Sequence, residues 1–291
     1  MITVTGATGN IGRTLVGLLA GAGEEVVAVS RRPHDGGGAQ GGGARGDGAA
    51  GVRWVRADVG EAAGMGPALA GARALFLVLG GELNLGGESP DALVKAAGDA
   101  GVERIVLVSS QASETRPDAP SHARLREFEA AVRASGRAFT VLRPAGFASN
   151  AFAWAETVRT GRTAFAPFGD VALPVVDPAD IAAVAAAALT EDGHAGRTYT
   201  LTGPVPISPR EQVAAVAEAL GEEVAFVELS RAEASAAMSR SMPEQVVTGT
   251  LDILGEPRPA ELVVSPDTEA VLGRPASPFE AWVARNLPAF R

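Results

Sequence analysis

Short apolar runs of strand length alternate along this chain with segments of helical period. Ile2 to Thr5, Glu25 to Ser30, Val52 to Ala57, Ala74 to Leu79 and Arg104 to Val108 are rich in β-branched residues and read as strands. Ala74-Leu75-Phe76-Leu77-Val78-Leu79 is apolar throughout, as expected of a parallel strand buried on both faces. Between these runs, Ile11, Leu15, Leu18 and Leu19 fall at helical spacing, and Pro90 to Ala100 and Ser121 to Ser135 read as further helices. Ala138 to Leu142 and Arg197 to Leu201 continue the strands, the latter returning to the main sheet. Leu173 to Val176 reads as a short strand before a capped, alanine-rich helix at Asp177 to Leu189. Val213, Val216, Ala217 and Leu220 share one face of a helix over Pro209 to Leu220, and Val224 to Leu229 reads as a strand. The rest is helical, with Phe279, Trp282 and Leu287 packing a terminal helix.

This alternation predicts an α/β fold, a doubly wound parallel sheet with a smaller C-terminal α+β substrate lobe. Residues 1–148 form the main domain, joined by 173–202. Residues 149–172 and 203–291 form the lobe. Asp35 to Gly51 carries Gly-Gly-Gly twice and few apolar residues, and is expected as a flexible surface insertion.

The strand at Ile2 to Thr5 runs into Gly6-Ala7-Thr8-Gly9-Asn10-Ile11-Gly12. Gly6 permits a sharp turn, Gly9 leaves room for a pyrophosphate against the backbone, and Gly12 lets the following helix lie close to the strand. The helix N-terminus offers unpaired N–H groups and the positive end of a dipole. A glycine turn is diagnostic only between a strand and a helix, and that is its setting here.

The strand ending in Ser30-Arg31-Arg32 has guanidinium groups where an acidic residue would bind the ribose of NAD. A guanidinium fork matches phosphate oxygens, which favours NADP, with NAD still possible. The alternative is solvated surface charge, particularly for Arg32. Asp58, after the third strand, meets an adenine edge or caps the next helix. Gly80-Gly81 ends the fourth strand beside the groove. Ser109 and Ser110 stand at the end of the fifth, either facing the nicotinamide or capping a turn. His122, Arg126 and Glu129 share one helix face, turned to the cleft or to water. Pro144 shapes the nicotinamide wall, and Phe147 covers the substrate or joins the core. Phe152, Trp154, Phe165 and Phe168 cluster, lining a pocket for a flat apolar ligand or forming the core of the lobe.

The 291 residues suffice for one large α/β domain or a main domain with a lobe. No apolar run reaches membrane length and there is no cysteine; because the first residue leads straight into a strand, no signal peptide is expected. A cytoplasmic monomer or homodimer with no membrane partner is expected, and no metal site. A net charge of −9 argues against a nucleic-acid partner. The only tyrosine is Tyr199 and the only lysine Lys95.

The whole chain resembles the NmrA-like group of atypical short-chain dehydrogenase/reductases. The likeness runs through Thr5-Gly6-Ala7-Thr8-Gly9-Asn10-Ile11-Gly12, Val108-Ser109-Ser110 and Arg143-Pro144-Ala145-Gly146-Phe147 to Asn150. It continues in Asp177-Pro178-Ala179-Asp180-Ile181-Ala182, Tyr199 to Pro204 and Leu272-Gly273-Arg274-Pro275. The resemblance implies a Rossmann domain binding NADP(H) and a lobe closing a substrate cleft. It implies that Gly6, Thr8, Gly9, Asn10 and Ile11 hold the pyrophosphate and that Arg31 meets the 2′-phosphate. Leu77, Ser109, Pro144 and Phe147 would border the nicotinamide. Conventional members donate a proton from a tyrosine four residues before a lysine. Here Asp91 holds that position before Lys95, and Tyr199 has no lysine after it. Ketone reduction needs such a donor; quinone reduction is less demanding, and water, Ser110 or His122 suffices. The expected activity is hydride transfer from NAD(P)H to a quinone or related flat aromatic, a polyketide intermediate among them. The alternatives are an NADP(H) sensor without turnover, or a tailoring enzyme that rearranges its substrate while the cofactor is recycled or structural.

Overall fold

The computed structural model describes residues 1–32, 51–80 and 86–291. The insertion expected at Asp35 to Gly51 lies outside the described residues apart from Gly51, and so does Gly81. Strands β1 (Ile2–Val4), β2 (Val26–Ser30), β3 (Val52–Arg56), β4 (Ala74–Val78), β5 (Arg104–Val108), β6 (Ala138–Pro144) and β8 (Arg197–Leu201) form one sheet. Its order is β3-β2-β1-β4-β5-β6-β8 and every pairing is parallel. The strand order reverses between β1 and β4, which opens a crevice at their carboxyl ends.

Strand alternation divides the core in two. On β4, Ala74 and Phe76 face one side with the Leu15, Val16 and Leu19 side chains of helix Gly12–Gly21 and the Ile181 and Val184 side chains of helix Pro178–Thr190. Leu75 and Leu77 face the other side, against Leu93 of helix Pro90–Asp99 and Phe128 and Val132 of helix Ala123–Ala134. The helix expected from Ser121 begins at Ala123, after a 3₁₀ turn over Pro120–His122.

A second, two-stranded parallel sheet pairs β7 (Thr163–Pro167) with β9 (Ala225–Leu229). Strand β7 went unrecognised in the sequence; it is short and ends in proline. Leu173 to Val176 is not a strand. It makes only isolated bridges, Phe147 to Val176 and Leu173 to Ile207. The aromatic cluster divides. Trp154 packs on a third hydrophobic cluster with Phe279, Trp282 and Phe290, Phe168 packs on a small cluster around Val247 and Leu251, and Phe165 is exposed.

Helix ends follow their local sequence. Asp177 Oδ1 accepts from Ala179 N at 2.9 Å, and Ser208 and Glu211 form a reciprocal capping box before helix Pro209–Leu220. Ion pairs with buried carboxylates then tie the C-terminal part to helix Pro178–Thr190 and to the segment after β5. Asp180 accepts from Arg274 at 2.7 Å and from Ser277 N at 2.6 Å, and Asp177 pairs with Arg285. Arg116 donates to both carboxylate oxygens of Glu261 at 2.8 Å and also to the carbonyls of Asp252 and Glu256.

Breaking such a pair by removing one partner strands the other charge in the interior, at a cost of about 3–5 kcal/mol. Glu261→Ala is therefore expected to lower the unfolding free energy measured by urea titration by an amount of that order, and Glu261→Gln by less; equal urea midpoints for wild type and Glu261→Ala would show that the pair holds nothing.

Candidate active site

The loop after β1 turns because Gly6 adopts φ +59°, and a methyl group there would lie 2.6 Å from Val78 Cγ1. Gly9 N donates to Gly6 O at 2.9 Å. A methyl group at residue 12 would lie 2.2 Å from Gly6 O, so only glycine lets the helix start this close to the strand. Thr8, Gly9 and Asn10 are exposed, and Ile11 buries its side chain. Among the described residues, the N–H groups of Asn10 and Ile11 donate to no backbone carbonyl. They open at the β1/β4 crevice. A bend with no room for a Cβ at residues 6 and 12, with free N–H groups at a helix start, fits a dinucleotide pyrophosphate. The Asn10 side chain is committed elsewhere: Nδ2 donates to Ser149 Oγ at 3.0 Å, tying the loop to the 3₁₀ helix Ala148–Trp154.

Arg31 and Arg32 follow β2 and are exposed. Arg56, not singled out in the sequence, pairs in register with Ser30 and is also exposed. None of the three has a carboxylate partner among the described residues. Asp58 does not cap a helix. Its Oδ1 accepts from Gly60 N at 2.9 Å in a turn, and Glu61 precedes the 3₁₀ helix Ala62–Met65. Asp58 remains exposed at the carboxyl end of β3.

Alternation corrects two expectations at the nicotinamide end. Leu77 is fully buried among Leu75, Leu93 and Leu107 and borders no groove. Ser109 follows Ile105 and Leu107 onto the same face and is buried. Its Oγ donates to Glu129 Oε1 at 2.6 Å and lies 3.1 Å from Ser113 Oγ, so this hydroxyl serves the core rather than a ligand. Ser110 points the other way and is half-buried. Its Oγ accepts from Ala112 N at 3.2 Å and keeps its own proton to donate. Pro144 is buried at the end of β6, and its carbonyl accepts from Gln111 N at 3.0 Å. Phe147 is half-buried and packs on the main core.

In the His122, Arg126 and Glu129 set, Glu129 is buried while His122 and Arg126 are half-buried. Arg126 donates to the carbonyls of Arg116 and Ala119. His122 Nδ1 lies 2.9 Å from Ser121 Oγ, and Ser121 abuts Gly249 of helix Glu244–Gly255. Burial, with the charges of Arg126 and Arg116, lowers the His122 pKa, so the imidazole is neutral at neutral pH. Burial pushes the Glu129 carboxyl up, but bonds from Arg143 (3.0 and 2.7 Å) and Ser109 overcome it and hold the group below the usual carboxylate range. Arg143 also reaches Glu114 at 2.5 Å. This buried network, which joins the ends of β5 and β6, was not readable as a unit.

Tyr199 OH, on the edge strand β8, lies 2.8 Å from His194 Nδ1, and Lys95 pairs with Asp99 on the exposed face of helix Pro90–Asp99. Among the described residues no acidic or histidine cluster is arranged to hold a metal, and no helix is long and apolar enough to cross a membrane.

The parallel sheet and the glycine bend at its crevice define a dinucleotide-binding protein. A family model described as NAD(P)H-binding matches residues 6–192. The chain is 40% identical over 293 residues to a (4-alkanoyl-5-oxo-2,5-dihydrofuran-3-yl)methyl phosphate reductase of Streptomyces griseus, covering 100% of this chain and 99% of that one. It is 32% identical to an NAD(P)H azoreductase of Xenophilus azovorans, again over 100% and 99%. An NADPH-dependent quinone oxidoreductase of Escherichia coli, solved with NADPH, superposes with a TM-score of 0.77 at 26% identity, covering 98% of this chain and 99% of that one. The chain belongs to the NAD(P)H-binding family that this model describes, and the relatives named above are reductases.

The Glu129 carboxyl ionises more readily folded than unfolded, so its contribution to stability is complete above the unfolded pKa and is lost as pH falls through the lower folded value. Urea unfolding between about pH 5 and pH 3 should therefore show wild type losing stability more steeply than Glu129→Gln. Parallel pH slopes would show that Glu129 is not held ionised.

Proposed function

We propose that this protein transfers hydride from NADPH to a quinone or a related flat, conjugated acceptor. The glycine bend, with the N–H groups of Asn10 and Ile11, receives the pyrophosphate. Gly6, Thr8 and Gly9 shape the approach, and Ile11 anchors the loop through its buried side chain. Arg31 and Arg32 receive the adenosine 2′-phosphate, and exposed Asp58 is positioned for the adenine edge. Pro144 and Phe147 form the wall at the nicotinamide end. When bound, NADPH supplies the hydride.

The observation that carries the choice of acceptor is the fate of the proton donors. Tyr199 is engaged with His194 on an edge strand, and Lys95 with Asp99 on a helix surface. His122 is neutral, and the Ser110 hydroxyl is the polar group left at the end of β5. Such a site suits an acceptor whose reduced oxygen is a weak base, takes its proton from water and accepts a hydrogen bond from the Ser110 hydroxyl. The relatives support this. A quinone, an azo compound and an unsaturated furanone all spread the charge that arriving hydride brings. Catalysis then rests on holding donor and acceptor in contact. The relatives are named as reductases, which favours turnover over a sensor.

NADPH oxidation should be measured against a panel of quinones and simple ketones. Turnover with quinones and little with ketones is expected; turnover with neither would sink the reading. The Arg31→Ala, Arg32→Ala double variant should bind NADPH about tenfold or more weakly, each tenfold being about 1.4 kcal/mol, with NADH binding unchanged. An equal loss for both cofactors would remove the arginines from the phosphate site.

A further inference from the structure

Exposed aliphatic side chains carry information when they adjoin one another on a segment that is held in place. Leu262, Val263 and Val264 are consecutive and are 41%, 60% and 39% exposed. They follow the 3₁₀ turn Pro259–Glu261, which the buried Arg116–Glu261 pair fixes. Thr115 Oγ1 adds a bond to Glu261 at 2.7 Å.

Two hydrogen bonds locate this segment over the sheet. Gln111 Nε2 donates to Ala260 O at 3.1 Å, and Ser265 N donates to Thr202 Oγ1 at 3.0 Å. Gln111 follows β5, and its N–H bonds Pro144 O at the end of β6. Thr202 follows β8, and Leu201 O accepts from Ala145 N. Strands β5, β6 and β8 are neighbours in that order. Residues 260–265 therefore form a strap that spans the carboxyl end of β6, where Gly146 is exposed and Phe147 half-buried. This is the same edge of the sheet that carries the cofactor cradle.

We propose that Leu262, Val263 and Val264 form the apolar wall that receives an aliphatic substituent of the acceptor. The inference rests on the hydride-transfer reading given above. The strap is fixed at both ends, so its side chains are presented with little ordering cost on binding. Its three apolar residues include no charge, which selects an uncharged substituent. Three side chains also fall far short of the roughly 1,000 Å² that a stable protein interface buries. A small molecule at the adjoining site is therefore the occupant, rather than a second copy of the chain.

The test uses a series of quinones carrying alkyl chains of increasing length. For wild type, kcat/KM should rise with chain length, by up to about fourfold per methylene buried. In Val263→Ser and in the Leu262→Ser, Val264→Ser double variant the slope should flatten. Because these side chains are exposed, the variants are expected to fold, and NADPH binding measured by fluorescence checks that they do. Wild-type turnover with a slope that the variants leave unchanged overturns the strap alone. Absence of wild-type turnover overturns the hydride-transfer reading and the strap with it. If Val263→Asp dissociates a dimer without moving the slope, the strip is an interface between copies and the proposal falls.

Discussion

The carbonyl of Gly6 constrains more of this structure than any other single group. It accepts from Gly9 N, and Gly12 packs so close that no side chain fits between them. That approach is possible because Gly6 takes a left-handed φ, with Val78 closing the opposite side. The helix start is thereby pressed against β1, and its free N–H groups open at the crevice between β1 and β4. Once the helix is so placed, Leu15, Val16 and Leu19 meet the face of the sheet that carries Ile2, Val4 and Phe76. Helix Pro178–Thr190 then packs beside it on the same face. The bend that suits an anion is thus also the bend that sets one layer of the fold.

The C-terminal part is held to this frame by buried carboxylates rather than by apolar packing alone. Asp177, Asp180 and Glu261 are each nearly inaccessible, and each meets an arginine. Removing such charges from water costs several kcal/mol per ion, and attraction between partners offsets this only when geometry and further hydrogen bonds are good. For Asp177 burial dominates and raises its pKa despite the bonds from Ala179 and Arg285. For Glu261 the bonds from Arg116, Thr115 and the Arg258 backbone overcome burial and lower it. What these pairs contribute is definition of position. A guanidinium fork fixes angles as well as distance, which suits a chain with one lysine and many arginines.

How much of this was legible in the sequence depended on range. Strands and helices with a clear period, such as Arg104–Val108, Arg197–Leu201 and Pro209–Leu220, were placed where they occur, because period reports burial directly. The glycine bend was legible because glycine has a backbone meaning that needs no tertiary knowledge. Strand β7 was missed because Thr163-Ala164-Phe165-Ala166-Pro167 has little pattern of its own and is defined by its partner β9, far along the chain. Leu77 was assigned to the groove by the family resemblance alone, and Ser109 by the resemblance and by its place at a carboxyl strand end. Which face each occupies is fixed by alternation relative to the helices, and that is a tertiary fact. The bond between Glu129 and Arg143 joins a helix to a strand, and neither residue alone signals it.

The distribution of ionisable groups narrows the chemistry further. Tyr199, Lys95, Glu129 and Arg143 are all engaged in pairs, and His122 is held neutral. A carbonyl reduced to an alcohol passes through a strongly basic oxygen, and a site with a half-buried serine as its nearest donor stabilises that charge poorly. An acceptor that delocalises the charge over a conjugated frame makes no such demand. For it, rate depends on contact and orientation, which rigid elements supply. The Asn10–Ser149 bond and the Glu129–Arg143–Ser109 network supply that rigidity at the cofactor loop and at the ends of β5 and β6.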